Sequence, residues 1–402
     1  MLACHIANFP LVNFTNRASD TFREVMADIK AGYDESIHPK LFELYNDNYH
    51  KGLSMFGEPE PGSRYFELHE KFKLNTARLA SYKSYKVTKL LKDLPEKDFD
   101  KNALQVLKNF NRYQATEYNA IVSRARSAKQ FIDFQGDADL YPNMEWIMTR
   151  SANPREAHLA LVGTIRPIND SFWNENQPGN LWNCKCDWQP TDKEVTGVPK
   201  QVVKPATGLD GNPAITGELI SDEHPYCAKC NNRAIKNEIE ADYDYKLRSL
   251  KKFLDYDADW QKELWITDNA GYNVYHKNHQ FHPKSGHIEK SIGKELAMMQ
   301  AKQIEFLPEQ GAGISKPDLK FDDKTWDIKW IDDANVTTIR TYIKEARKAD
   351  NVIFYFSKDK LNELHEAINR TVGHFKKNGQ LHELPDIYYY VEKGKIKLLW
   401  RK

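Results

Sequence analysis

The chain has little cysteine and no long apolar segment, and its charges nearly cancel. Five cysteines in 402 residues are too few for a disulfide framework, which agrees with synthesis in a reducing cytoplasm. No apolar run approaches about 18 residues, so we expect no insertion into a membrane. The segment 1–10 lacks a basic region followed by an apolar one, so we expect no signal peptide. Because the net charge is only +1, any surface that attracts nucleic acid must be local.

Four of the five cysteines form two closely spaced pairs: Cys184 with Cys186, and Cys227 with Cys230. Pairs of this kind, separated by about 40 residues, can close a tetrahedral zinc site. His158 and His224 offer spare nitrogen ligands. We therefore expect one structural Zn²⁺ held by the four thiolates, which would leave no open position for catalysis. The alternative interpretation is reduced thiols or adventitious disulfides.

Characteristic residues surround the first cysteine pair in a fixed order. They are the helical segment 116–119 (Thr-Glu-Tyr-Asn), His158, Gly163, Pro167, Phe172-Trp173 and a Pro- and Gly-containing turn that ends in Cys184-Lys-Cys186. This order resembles the phage Mu F-type head morphogenesis family over about residues 60–230. The loop 149–158 lacks the Asp and the second Arg often seen in that family. The resemblance implies a prophage-encoded minor head protein that binds portal and capsid proteins and is incorporated in the virion.

A different pattern occupies the C-terminal part of the chain. Asp318 follows a proline, and nine residues later comes Asp327-Ile-Lys329. The residues between them alternate apolar and polar around Asp322-Asp323, which predicts a β-hairpin that brings Asp318 beside Asp327. Lys329 shares a strand face with Asp327, because side chains repeat every two residues. Two carboxylates can hold Mg²⁺ against a phosphate, and an ammonium group can position water or offset negative charge.

The flanking segments predict a helix, a strand, the hairpin, a second helix and a second strand. The helix has Ile292, Leu296 and Met299 on one side, the strands are 303–307 and 351–356, and the second helix is 337–349. This order and the acid-acid-lysine set resemble the PD-(D/E)XK nuclease superfamily.

Over residues 280–402 the chain also looks like the toxin domains of bacterial contact-dependent inhibition systems, several of which cleave tRNA. The resemblance implies Asp318, Asp327 and Lys329 as catalytic residues, with a glutamate of the first helix assisting. We prefer Glu289 to Glu295 for that role. It also implies an RNA or DNA substrate, action in the cytoplasm of a target cell, and a cognate immunity protein as a possible partner.

Basic residues are concentrated at the C-terminal end, among Tyr388-Tyr-Tyr390 and Trp400. Cations contact phosphates, and aromatic rings stack on unpaired bases. We therefore expect four of these basic residues to bind substrate: Lys393, Lys395, Lys397 and Arg401. The alternative is a last amphipathic hairpin in which the Lys-Gly-Lys segment is simply the turn.

These patterns predict a multidomain protein with an α-rich α+β head morphogenesis domain followed by a small α/β nuclease-like domain. The expected divisions are an N-terminal helical segment 1–60, the head domain 61–232, a charged helical linker 233–279 and the nuclease domain 280–402. One alternative is a purely structural, portal-associated minor capsid protein. Another is a metal-free ribonuclease of the barnase, EndoU or colicin type that uses His282 or His287. A third is a nuclease fold that only binds nucleic acid.

Overall fold

The computed structural model describes residues 11–54, 57–149, 155–199, 203–309, 316–332, 334–356 and 360–402. Half of the loop 149–158, residues 150–154, lies outside these ranges. The chain divides into two compact units, Met1–Tyr245 and Lys246–Lys402. Among the described residues, no helix combines the length and the apolar character that crossing a membrane requires.

The first unit is built mainly from helices. Its long helices are α1 (Leu11–Lys30), α2 (Pro39–Ser54), α3 (Phe66–Lys92) and α4 (Phe99–Gly136). Apolar residues recur on one side of α3 at Phe72, Leu79, Val87 and Leu91, and all four are buried in one core with residues of the other three helices. The helices α1 and α2 of the N-terminal segment therefore share one core with α3 and α4.

The rest of the first unit has short elements joined by loops. They are β1 (Asn143–Ile147), α5 (Glu156–Leu159), β2 (Ile165–Pro167), β3 (Asp187–Thr191), α6 (Pro213–Thr216) and α7 (Pro225–Ala228). The strands form an antiparallel sheet in the order β2-β1-β3 over a core that contains Trp146, Trp173 and Trp188. The buried guanidinium of Arg124, on α4, fixes the loop before α6. It donates to the carbonyl oxygens of Leu209 and Gly211 at 2.7 and 2.9 Å.

The helix α8 (Arg233–Leu254) begins in the first unit and ends in the second. The remaining elements of the second unit, in chain order, are β4 (Trp260–Ile266), β5 (Gly271–His276), α9 (Gly286–Gln300), β6 (Gln303–Phe306), β7 (Leu319–Phe321), β8 (Lys324–Ile331), α10 (Val336–Glu345), β9 (Asn351–Phe356), α11 (Leu361–Lys377), β10 (Asp386–Tyr390) and β11 (Ile396–Trp400). The strands form one eight-stranded sheet in the order β11-β10-β9-β8-β7-β6-β5-β4.

The middle of this sheet confirms the predicted order of elements from α9 to β9. Strands β6, β7 and β8 are successively antiparallel, and α10 connects β8 to the parallel strand β9. The sheet carries an apolar core on each face. Ile292 and Leu296 of α9 pack on one face with Trp326 and Ile328, whereas α10 and α11 pack on the other face with Ile331.

The structure corrects the predicted linker 233–279. Only its first part is helical, since α8 ends at Leu254, and β4 and β5 then pair antiparallel at one edge of the large sheet. The Gln-Lys-Glu stretch of β4 resembles part of a charged helix in sequence. As an edge strand, β4 leaves the side chains of Gln261 and Glu263 in water.

Candidate functional site

The hairpin of β7 and β8 places Asp318 against Asp327, as the spacing predicts. Leu319 pairs with Trp326, and the turn residues Asp322 and Asp323 have φ angles of 52° and 57°, a left-handed conformation that Asp tolerates. The backbone N–H of Asp318 donates to the carbonyl of Trp326 at 3.0 Å. Its carboxylate Oδ2 accepts from the N–H of Ile328 at 2.7 Å. The Asp318 side chain is therefore held next to the strand position of Asp327.

Asp327 is fully buried, and two ammonium groups compensate its charge. Lys329 Nζ lies 2.9 Å from Oδ2, and Lys348 Nζ lies 3.1 Å from Oδ1. Lys348 also reaches Asp318, with 4.0 Å between Nζ and Oδ1. Two acids and two lysines thus form a compact, mostly buried ionic cluster, which we call the Asp318–Asp327 cluster. It consists of Asp318, Asp327, Lys329 and Lys348.

The electrostatics of the cluster follow from this crowding. Burial, and then the negative charge of Asp327, raise the pKa of Asp318 well above its usual range. Burial acts to lower the pKa of Lys329, but the charges of Asp327 and Asp318 outweigh it, so this pKa is raised. Lys329 is consequently a cation at neutral pH. It is suited to orienting water or offsetting phosphate charge, and not to accepting a proton.

The two candidate glutamates of α9 have different surroundings. Burial raises the pKa of Glu289, and among the charges that act on this carboxylate are those of Lys329 and Asp327. Ser285 Oγ is 3.5 Å from its Oε1. Glu295 instead accepts hydrogen bonds from the Tyr390 hydroxyl and from the N–H of Gly394. Glu289 is therefore influenced by the charges of two cluster residues, whereas Glu295 is engaged by the β10–β11 turn.

Lys348 is the residue that sequence reasoning missed. It lies in the 3-10 turn Ala346–Lys348, which directly follows α10. The sequence predicts this stretch as part of an amphipathic helix. The neighbouring Lys344 is exposed, whereas Lys348 points inward with its side chain only 15% exposed. The one available signal was the position of Lys348 just before β9, the strand that pairs with β8.

The four basic residues predicted to bind substrate are divided by the structure. Lys395 and Lys397 line a cleft of about 610 Å³ together with Trp326 and Tyr388. Lys393 lies in the turn between β10 and β11 with a φ angle of 48°. Arg401 Nε is 3.7 Å from the carboxylate of Asp386. Only the first two thus share a concave surface with aromatic side chains.

The two cysteine pairs do not converge, which corrects the expected four-thiolate site. Cys227 is buried with Tyr82 and Ile235, and the sulfur of Cys230 faces the carbonyl of Asn232 at 3.8 Å. The sequence spacing allowed the pairs to meet, but α7 turns Cys227 into an apolar core. Cys184 and Cys186 instead gather with a histidine, the side chain of His158.

The histidine-rich segment 276–287 forms local turn contacts. His282 is exposed, and its Nδ1 accepts from the N–H groups of Lys284 and Ser285, both at 3.3 Å, just before α9. His287 is exposed on the first turn of α9. His279 Nδ1 is 2.7 Å from the carbonyl oxygen of Leu307. These contacts do not gather the histidines into one site.

Comparison with known proteins supports a phage head-related region. A stretch of 89 residues is 30% identical to capsid assembly protein F of Escherichia phage Mu. The match covers 22% of this chain, and the chain spans about a fifth of the length of that phage protein. No protein-family model matches the chain. No solved structure matches it.

Proposed function

We propose that this chain is a phage or prophage minor head protein whose C-terminal unit is a nuclease that cleaves RNA or DNA by metal-assisted hydrolysis. The observation that supports the nuclease is the Asp318–Asp327 cluster at the centre of a helix–strand–hairpin–helix–strand arrangement. The likeness to the phage Mu capsid assembly protein supports the head-associated part. Portal and capsid proteins would be its structural partners, and an immunity protein would protect the producing cell.

The donor set fits Mg²⁺. This ion is bound in proteins by one or two carboxylates together with water and substrate phosphate oxygens. Asp318 and Asp327 present two such carboxylates, and a cation already lies near both, since Lys348 Nζ is 4.0 and 3.1 Å from their Oδ1 atoms. Bound Mg²⁺ would polarise the phosphate and lower the pKa of water.

The protein residues have separate roles in this proposal. Asp318 and Asp327 would hold the metal, and the backbone N–H of Ile328 fixes the orientation of the Asp318 carboxylate. Lys329 positions the attacking water or stabilises charge on the transition state, because its ammonium is anchored to Asp327. Glu289 assists through its carboxylate, either directly or through water.

The test compares two aspartates of one hairpin in the full-length protein. Asp318→Asn changes the mostly buried acid of the cluster, and Asp323→Asn makes the same change at an exposed turn position. Each protein is incubated with total tRNA or plasmid DNA, in Mg²⁺ or in EDTA. We expect cleavage by the parent and by Asp323→Asn, and none by Asp318→Asn or in EDTA.

Other outcomes separate the alternatives. Undiminished cleavage by a folded Asp318→Asn variant would overturn the catalytic assignment. Cleavage that persists in EDTA and is lost in a His287→Ala variant would favour the metal-free ribonuclease. If the folded parent cleaves neither substrate, the purely structural head protein becomes the better interpretation, and co-sedimentation with portal and capsid proteins tests that role directly.

A further inference from the structure

A group of side chains that could hold a metal ion lies in the first unit and includes no residue of the proposed nuclease. His158 on α5 is buried, and its Nδ1 is 3.1 Å from Cys186 Sγ and 3.6 Å from Cys184 Sγ. The three ligand atoms all lie within 4.8 Å of one another. The other ring nitrogen, Nε2, makes no hydrogen bond with any described residue, and the ring packs edge-on against Trp146.

These distances are close to those of a coordination shell. With Zn–S and Zn–N bonds of about 2.3 and 2.0 Å, tetrahedral geometry places a nitrogen about 3.5 Å from each sulfur. The distance from Nδ1 to Cys184 Sγ, 3.6 Å, matches this value, and the distance to Cys186 Sγ, 3.1 Å, is shorter. The backbone also supports a metal-bound thiolate, because the N–H of Cys186 points at the sulfur of Cys184, at 3.5 Å. A hydrogen bond between His158 Nδ1 and one thiol would explain the short distance to one sulfur but not to both. The placement of Nδ1 between two sulfurs is better explained by a common cation.

We infer that His158, Cys184 and Cys186 bind one Zn²⁺. Zinc fits because thiolate and imidazole are its preferred ligands, and binding would release the thiol protons. No fourth His, Cys, Asp or Glu of the described residues joins the group, so water completes the shell.

The ion would link α5 to the entry of β3 across a segment with few regular elements. Cys186 also contacts the core of Trp146, Trp173 and Trp188, so the metal would stabilise this core from its edge. This site is independent of the nuclease proposal, and it differs in ligands from a four-cysteine site.

The experiment measures metal in the full-length protein, purified from zinc-supplemented medium and dialysed. We expect about one zinc per chain by mass spectrometry of the elements, because the three side chains form one ligand set. The double variant Cys184→Ser/Cys186→Ser and the single variant His158→Ala should lose it. The matched control is Cys227→Ser/Cys230→Ser, which removes as many thiols and should keep the metal.

Cobalt substitution gives a second readout. Co²⁺ in the parent and in the Cys227→Ser/Cys230→Ser control should show the absorption of tetrahedral thiolate ligation, and His158→Ala should change or abolish it. Three results would overturn the inference: a folded parent without zinc, equal metal loss from both double cysteine variants, or rapid alkylation of Cys186 in the zinc-supplemented parent. The last would indicate a free reactive thiol paired with His158.

Discussion

Lys348→Met probes the charge balance around Asp327. In the parent, Lys348 Nζ and Asp327 Oδ1 are 3.1 Å apart, and the carboxylate is fully buried. At an effective dielectric constant of about 20, two unit charges at this distance attract by roughly 5 kcal/mol. Desolvation of the ammonium opposes several kcal/mol of that, and Lys329 still compensates Asp327 in the variant. We therefore expect Lys348→Met to lower the free energy of unfolding by only about 1–2 kcal/mol when no metal is bound.

In the presence of Mg²⁺, we expect Lys348→Met to gain more stability than the parent does. If Mg²⁺ binds as proposed, it would compete in the parent with the Lys348 ammonium, which lies 4.0 and 3.1 Å from the Oδ1 atoms of Asp318 and Asp327. Methionine has a similar length and no charge, so the variant should bind Mg²⁺ at least about tenfold more tightly, or about 1.4 kcal/mol. A ligand that binds the folded state more tightly stabilises it more at a given concentration. Hydrogen exchange of the amides in β7 and β8, measured over a Mg²⁺ titration, reports the local stability of the hairpin and its affinity for Mg²⁺.

The matched control for this experiment is Lys344→Met, at an exposed position of α10. Its exchange rates and Mg²⁺ response should equal those of the parent. If Mg²⁺ protects the parent and Lys348→Met to the same degree, Lys348 does not occupy the position of the cation, and the proposed metal site is refuted. If the variant lost 3–5 kcal/mol, Lys329 alone would be insufficient to compensate the buried carboxylate.

Three further predictions follow from the contacts described. Glu289→Gln should slow Mg²⁺-dependent cleavage at least about tenfold. Glu295→Gln, on the same helix, should mainly alter the contact between residue 295 and the β10–β11 turn, and cleavage kinetics compare the two variants. Burial lowers the pKa of His224 to about 4. As pH falls, this imidazole is therefore protonated in the unfolded chain before it is protonated in the folded protein, and stability on the order of 3 kcal/mol should be lost between about pH 6.5 and 4. In thermal unfolding, His224→Asn keeps an acceptor for the start of α7 and should flatten this dependence; an unchanged pH profile would contradict the assignment. Lys395→Ala/Lys397→Ala should weaken binding of long RNA and reduce its salt dependence, measured by filter binding; an unchanged salt slope would remove the cleft from the binding surface.

The order of elements from α9 to β9 was predictable because it depends on local patterns. Alternating apolar residues and a turn of two aspartates determine the β7–β8 hairpin, and that hairpin brings Asp318 to Asp327. Lys348 could not be predicted in the same way. It reaches Asp327 because β9 pairs with β8 and places the preceding turn over that strand, a contact that leaves no periodic signal.

The cysteines illustrate a different limit. Spacing identifies residues that can share a metal, but it does not say which pairs converge. Cys227 belongs to an apolar core with Tyr82, whereas His158, a spare ligand by sequence, lies directly against the other pair. The choice depends on tertiary packing: Cys186 packs against the core of Trp146, Trp173 and Trp188, and Cys227 packs in a different core.

The position of the basic cleft constrains the proposed substrate. Trp326 lines the cleft, and its neighbour Asp327 belongs to the ionic cluster. Consecutive residues of a strand point to opposite faces, so Trp326, which lines the cleft, and Asp327 share β8 but point to different sides of the sheet. A single nucleotide bound to Asp327 would therefore not reach Lys395 or Lys397. If these lysines assist the proposed cleavage, the substrate must be a polynucleotide long enough to pass around the β7–β8 turn, which agrees with a folded RNA better than with a mononucleotide.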